Sequence, residues 1–139
     1  MTTKYKHKSR ATYGVENYVC PKCFYPLEEC ECDIFPPYYL LMIDKEMQKI
    51  IRILNKKGYK TIGCCESHYG TDSSNINIIF GNKLMVDIPD GFVLIKNGSG
   101  IAHYYDMNID LNSWELEKKK YLNILVNWAE NLSQLDNRR

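Results

Sequence analysis

Residues 20–32 read Cys20-Pro21-Lys22-Cys23-Phe24-Tyr25-Pro26-Leu27-Glu28-Glu29-Cys30-Glu31-Cys32. They hold four of the six cysteines of the chain, as a C-x2-C pair, a six-residue gap and a C-x-C pair. A C-x2-C turn can bring two thiolates to one ion, and a C-x-C pair can add two more from an extended segment. Four thiolates leave no coordination position open, which is typical of a structural zinc site. The spacing therefore predicts a zinc ion bound by Cys20, Cys23, Cys30 and Cys32; a disulfide pair or free thiols are the alternative.

So short a module cannot bury a hydrophobic core of its own, so metal binding must supply the free energy that folds it. The side chains expected to pack it against the rest of the protein are Phe24, Tyr25, Leu27 and Phe35. Pro36-Pro37 predicts a stiff joint behind the module. We therefore divide the chain into a flexible basic arm over residues 1–17, a four-cysteine zinc module over residues 18–37 and an α+β domain over residues 38–139.

The basic arm carries one acid, Glu16, and four cations: Lys4, Lys6, Lys8 and Arg10. Such a stretch can contact the phosphates of a nucleic acid or form a solvated tail, and we expect the tail because chain termini are usually poorly ordered. The net charge of +1 indicates no wider electropositive surface. The arm has no secretory signal, and the longest apolar run, over residues 38–43, is too short to span a bilayer. We therefore expect a cytoplasmic protein that does not enter the membrane.

Two helices are predicted after the module. Asp44 is the expected N-cap of a helix over residues 44–57, and Gly58 follows its end. Asn112 is the expected N-cap of a second, longer helix, with Glu115 completing a capping box. The predicted core stripes are Met47, Ile50, Ile51 and Leu54 in the first helix and Trp114, Tyr121, Leu125, Trp128, Leu132 and Leu135 in the second.

Between the helices, short segments rich in β-branched and aromatic residues predict strands over residues 59–65, 75–80, 84–88, 92–96 and 101–105. Strands joined by short turns must pair antiparallel, because parallel pairing needs a long crossover. The predicted fold is therefore α+β: a zinc-knuckle-like module at the N-terminus, then an antiparallel sheet of about five strands flanked by two helices on one face.

A second group of reactive side chains follows the first of these strands, in the run Cys64-Cys65-Glu66-Ser67-His68. Three interpretations stay open. The first is a second metal site that draws on two or three of Cys64, Cys65, His68 and His103. The second is a nucleophilic site in which His68 holds one cysteine as a thiolate, with Cys65, His68 and His103 as the catalytic candidates. The third, which we favour, is a buried cysteine beside a surface histidine.

Three segments carry a resemblance to known proteins: Cys20-Pro21-Lys22-Cys23, Cys30-Glu31-Cys32, and Gly58-Tyr59-Lys60-Thr61 leading into Cys65-Glu66-Ser67-His68. They resemble small uncharacterised zinc-module proteins of low-GC Gram-positive bacteria and their phages, which carry a GYxT…CxGH-like element after a helix. The last segment is also similar to the helix–strand–SCSGR element of the tRNA wybutosine-synthesis methyltransferase-like proteins, with Ser67-His68 in place of Gly-Arg. The resemblance implies a zinc-bearing protein of a mobile element, such as an anti-CRISPR-like inhibitor of a host defence system, and transfers no activity.

These observations favour a small cytoplasmic zinc-binding protein that acts as a macromolecular binding module. Eleven tyrosines suit a contact surface, because a tyrosine can bury its ring and leave its hydroxyl in water. We expect a protein or nucleoprotein partner rather than a small molecule, with any nucleic acid contacted through the basic arm. A small enzyme built on the cysteine–histidine group and a nucleic-acid-binding accessory protein are the alternatives.

Overall fold

The computed structural model describes residues 18–26, 29–32, 41–65, 69 and 75–135, with backbone alone for residues 41–42. Its elements in chain order are β1 (Tyr18–Val19), β2 (Leu41–Met42), α1 (Lys45–Lys56), β3 (Thr61–Cys65), β4 (Asn75–Phe80), β5 (Val93–Ile95), β6 (Gly100–Tyr104) and α2 (Leu111–Asn131). The basic arm, the Pro36-Pro37 joint, Leu27, Phe35 and His68 lie outside the described residues. No helix in the described part of the chain is both long and apolar enough to cross a bilayer.

The main sheet has four strands in the order β3-β4-β6-β5, and every neighbouring pair is antiparallel. The predicted α+β class with an antiparallel sheet is therefore confirmed. β5 and β6 form the predicted hairpin across a 3-10 turn over Lys96–Gly98. β1 and β2 form a separate two-stranded ladder, in which Tyr18 pairs with Met42 and Val19 with Leu41. This small ladder was not predicted.

The strand predicted over residues 84–88 is wrong. Its apolar side chains Leu84, Val86 and Ile88 pack, partly buried, against the edge of the core. The Asp87 carbonyl accepts a hydrogen bond from Trp128 Nε1 at 2.7 Å and so faces α2 rather than a neighbouring strand. An alternation of apolar residues indicates that one side of the chain is buried. Here that side is partly buried although residues 84–88 form no hydrogen-bonded strand pair.

The core lies between the two helices and one face of the main sheet. Alternate residues of β4 point into it, so that Ile76, Ile78 and Phe80 are buried. The predicted stripe of α1 is buried as expected. Gln48 is buried with it, and its Nε2 donates a hydrogen bond to Ile43 O at 3.1 Å, as a buried amide requires. The buried residues of α2 are Trp114, Leu122, Leu125 and Ala129, whereas Leu135 of the predicted stripe is exposed.

The C-terminal ends of the two helices meet at Lys57. Its Nζ donates to the carbonyl oxygens of Ala129, Glu130 and Leu132 at 2.8, 2.6 and 2.8 Å. Its own carbonyl accepts from Leu135 N at 2.8 Å. The last carbonyls of a helix have no partner within the helix and carry partial negative charge, so a cation there satisfies both needs. Lys57 thus fixes the end of α2 against the turn that follows α1.

The N-terminus of α2 lies two residues before the predicted position. Asp110, not Asn112, is the N-cap, and its Oδ1 accepts from Ser113 N at 2.8 Å while its Oδ2 accepts from Ser113 Oγ at 3.1 Å. The backbone N–H of Ser113, followed by its hydroxyl, lowers the pKa of Asp110 below the usual value. A carboxylate whose pKa is lower in the folded state stabilises that state above its unfolded pKa. That contribution is lost as the pH falls through the folded pKa.

Asp110→Asn tests this cap. Asparagine caps helices about as well as aspartate but does not titrate, so the variant should keep stability near neutral pH and lose less of it below about pH 4. Urea unfolding at a series of pH values measures the difference, with Asp90→Asn, which removes another exposed carboxylate, as the matched control. If the free energy of unfolding falls with pH equally in Asp110→Asn and in the parent protein, the assignment of the cap is contradicted.

Candidate metal centre

Four cysteine sulfurs converge in the module. The Sγ atoms of Cys20, Cys23, Cys30 and Cys32 all lie within 4.8 Å of one another. Zinc–sulfur bonds of about 2.3 Å in a tetrahedral site place the sulfurs about 3.8 Å apart, so this spacing admits a single ion at their centre. Cys20 and Cys30 are buried, and Cys23 and Cys32 are half-buried. The cluster could therefore hold one metal ion largely shielded from solvent.

Backbone hydrogen bonds shape each half of the cluster. In the C-x2-C turn, Phe24 N donates to Cys20 O at 2.9 Å and Cys20 N donates to Tyr25 O at 3.0 Å. Lys22 N points at Cys20 Sγ at 3.3 Å, and in the C-x-C pair Cys32 N points at Cys30 Sγ at 3.2 Å. An N–H directed at a sulfur favours the thiolate, which is the form that binds metal.

Phe24 has a backbone conformation that is unusual for its residue type. Its φ is 63°, in the left-handed region that side chains other than glycine rarely adopt. The cost is on the order of 1–3 kcal/mol and is accepted only where the surroundings enforce it. Here the chain must reverse directly after Cys23 so that Tyr25 can return to Cys20. The strain is therefore a consequence of bringing two ligands together within one turn.

The pKa values of the four thiols do not all shift in the same direction. Burial opposes ionisation of Cys20, but hydrogen bonds from the backbone of Cys23 and Lys22 outweigh it, and the pKa of Cys20 is lowered. Burial raises the pKa of Cys23, Cys30 and Cys32, and the charge of Cys20 adds to that rise. A cation at the centre reverses this second effect, because it compensates the repulsion among neighbouring thiolates.

The module is attached to α1 through the same turn. Arg52 Nη1 donates to Phe24 O at 3.1 Å, and its guanidinium carbon lies 4.2 Å from the centre of the Tyr25 ring. The Phe24 side chain packs, partly buried, against the hydrophobic core, as predicted. Val19, directly before the first ligand, is fully buried in that core. The four-cysteine cluster is thus attached to the helix through direct contacts.

The second group of reactive side chains is divided by the sheet. Cys64 pairs with Ile78 and packs against the core, whereas Cys65 pairs with Asn77. Asn77 in turn pairs with Ala102, so Cys65 lies on the face opposite to His103, the next residue of β6. The predicted alternation of Cys64 and Cys65 is confirmed. The geometry separates Cys65 from His103, and His68 lies outside the described residues.

His103 instead joins β6 to α2. Its Nε2 lies 3.0 Å from Glu117 Oε1 and its Nδ1 lies 2.9 Å from Gly91 O. His103 as a residue is 7% exposed, and its ring stacks on that of Tyr121, with ring centres 3.6 Å apart and planes at 21°. Glu117 was missed by the sequence-based interpretation, because nothing local links two residues in different elements.

A search of the described residues for clusters of histidine, cysteine, aspartate and glutamate that could hold a metal ion finds this four-cysteine cluster. All four of its ligand positions come from one short segment, which suits a structural role better than a catalytic one. Comparisons of the chain with protein-family models, with curated proteins and with solved structures found no match.

Proposed function

We propose that this protein is a small binding module, completed by one structural zinc ion, that acts by contact with a macromolecule. The observation that carries the proposal is the convergence of four cysteine sulfurs within 4.8 Å. Soft thiolate ligands in a tetrahedral set select zinc or an iron–sulfur centre, and zinc is the ion that such a closed site most commonly holds. The ligands are Cys20, Cys23, Cys30 and Cys32.

Binding is favoured over catalysis by what surrounds the other reactive groups. A catalytic cysteine needs a base within hydrogen-bonding reach, and the sheet places Cys65 and His103 on opposite faces. Both ring nitrogens of His103 already face oxygen atoms, and its ring is covered by Tyr121. The metal centre has no open position at which a substrate could bind. Among the described residues, these features favour a surface whose shape a bound metal ion would maintain.

Elemental analysis of freshly purified full-length protein should find about one zinc per chain, the stoichiometry of a closed four-cysteine site. Replacement of the zinc by cobalt should give a tetrahedral thiolate spectrum that added azide or imidazole leaves unchanged, because no coordination position is free. Less than about half an equivalent of zinc, or iron in its place, would contradict the identity of the metal. A cobalt spectrum that shifts on addition of azide would contradict the structural role.

A further inference from the structure

A groove of about 530 Å³ runs between the turn of the metal module and α1. Its lining includes Lys22, Phe24 and Tyr25 of the turn and Lys49, Arg52 and Lys56 of the helix. One wall is the C-x2-C turn, with its strained Phe24, and the other is one side of the helix. The groove therefore takes its shape from the metal centre, since the turn is held by its two cysteine ligands.

The charge of the groove is positive. Four of its lining residues are cations and none is an acid, although the whole chain has a net charge of only +1. Lys49, Arg52 and Lys56 stand at i, i+3 and i+7 on α1, so they share one face and extend over about 10 Å of the helix axis. Lys22 adds a cation from the module.

Among the described residues, these cations have few acidic neighbours. Lys49 lies 3.9 Å from Glu130, but both side chains are about half exposed or more, so that ion pair is screened by solvent. Within the described part of the chain, Lys22, Arg52 and Lys56 have no carboxylate within salt-bridge distance. A row of such cations attracts a ligand that carries several negative charges in sequence.

The groove also contains an exposed aromatic ring, that of Tyr25, next to its cations. Tyr25 is 45% exposed, which is high for so large an aromatic side chain, and the Arg52 guanidinium lies over its ring. Arg52 is itself held by its hydrogen bond to Phe24 O. An exposed ring beside fixed cations is the arrangement on which an unpaired nucleic-acid base stacks while its phosphates contact the cations.

We propose that this groove binds single-stranded nucleic acid, with Tyr25 stacking on a base and Lys22, Lys49 and Lys56 contacting phosphates. The inference rests on the proposed function, because it names the partner of the surface that the metal module forms. A duplex hides its bases from Tyr25, and the carboxylates of an acidic peptide can contact the cations without any ring that stacks on Tyr25, so neither ligand requires both features of the groove. The contact surface is also distinct from the basic arm that the sequence suggested.

The test is fluorescence anisotropy of the zinc-loaded full-length protein with a labelled thymidine homopolymer of about 12 nucleotides, within the usual site size of single-strand binders. Lys22→Gln/Lys56→Gln should weaken binding about tenfold and reduce the slope of log affinity against log salt by about 1.4, or about 0.7 for each lost phosphate contact. Tyr25→Ala should weaken binding about tenfold, whereas Tyr25→Phe, which keeps the ring, should bind nearly as the parent protein does.

Lys83→Gln/Lys119→Gln is the matched control, since it removes two exposed lysines outside the groove. The inference is overturned if this control weakens binding as much as the groove variant, or if no saturable binding occurs. It is also overturned if polyglutamate displaces the oligonucleotide while Tyr25→Ala has no effect, which would indicate an acidic peptide as ligand. Each protein is assayed for zinc: absent binding with one zinc per chain refutes the groove alone, whereas absent zinc refutes the proposed function.

Discussion

Cys30→Ser is expected to release the metal and unfold the module while the helices and the main sheet stay folded. Cys30 is 2% exposed, and its Sγ contributes one of the four ligand positions. About 10–16 kcal/mol of zinc binding free energy acts as folding free energy in modules of this size, and the module has no core to replace it. The variant should therefore purify with far less than one zinc per chain.

Hydrogen exchange locates the change. The amides of Phe24 and Cys20 are hydrogen-bonded only when the C-x2-C turn is formed, so they should lose protection in Cys30→Ser. The amides of β4 and β6, which pair with each other across the sheet, should keep theirs. Cys65→Ser is the matched control, because it makes the same substitution at a cysteine outside the cluster and should retain the zinc. Full zinc content in Cys30→Ser would remove Cys30 from the ligand set.

Ile78→Ala is expected to lower the free energy of unfolding by about 2–5 kcal/mol, the range for truncating a large buried aliphatic side chain. Ile78 is fully buried on the helix-facing side of β4, between Cys64 on one neighbouring strand and Ile101 on the other. The truncation leaves a cavity in the hydrophobic core, where close packing gives the surrounding side chains little freedom to fill it. Urea unfolding followed by far-ultraviolet circular dichroism measures the loss.

Ile62→Ala provides the comparison for this prediction. This variant carries the same isoleucine-to-alanine substitution in the same sheet, but Ile62 is 69% exposed. Its truncation should change the free energy of unfolding by no more than about 0.5 kcal/mol. A shift of one residue in strand register exchanges the two faces of a strand. Equal losses for Ile78→Ala and Ile62→Ala would therefore contradict the assignment of faces in the main sheet.

Local patterns in the sequence predicted those parts of the fold that depend on one element. Met47 and its neighbours repeat at helical spacing, and the helix predicted over residues 44–57 differs by one residue at each end from α1. The strand predicted over residues 75–80 coincides with β4, because alternation and β-branched residues agree there. The hairpin of β5 and β6 followed from its glycine-containing turn. In each case the secondary-structure propensity of the residues and the spacing of their apolar side chains favour the same structure.

The parts that could not be predicted depend on contacts between distant residues. The pairing of His103 with Glu117 joins two elements. The groove combines Tyr25 with cations from α1, and no spacing in the sequence places these residues together. The cysteines were recognisable because the ligands of such a site lie within one short segment.

The ladder of β1 and β2 determines how the four-cysteine module is connected to the protein. Val19 and Leu41 are paired neighbours, so the chain leaves the ladder at residue 20 and re-enters it beside its point of departure. A two-residue turn could join the same two strands. The four-cysteine segment is therefore inserted between the two strands of a hairpin, and the two strand residues that flank the insertion, Val19 and Leu41, lie side by side. For engineering, this position is a graft site: a different loop could be joined to Val19 and Leu41 if it also covers the part of the core that the Phe24 side chain contacts.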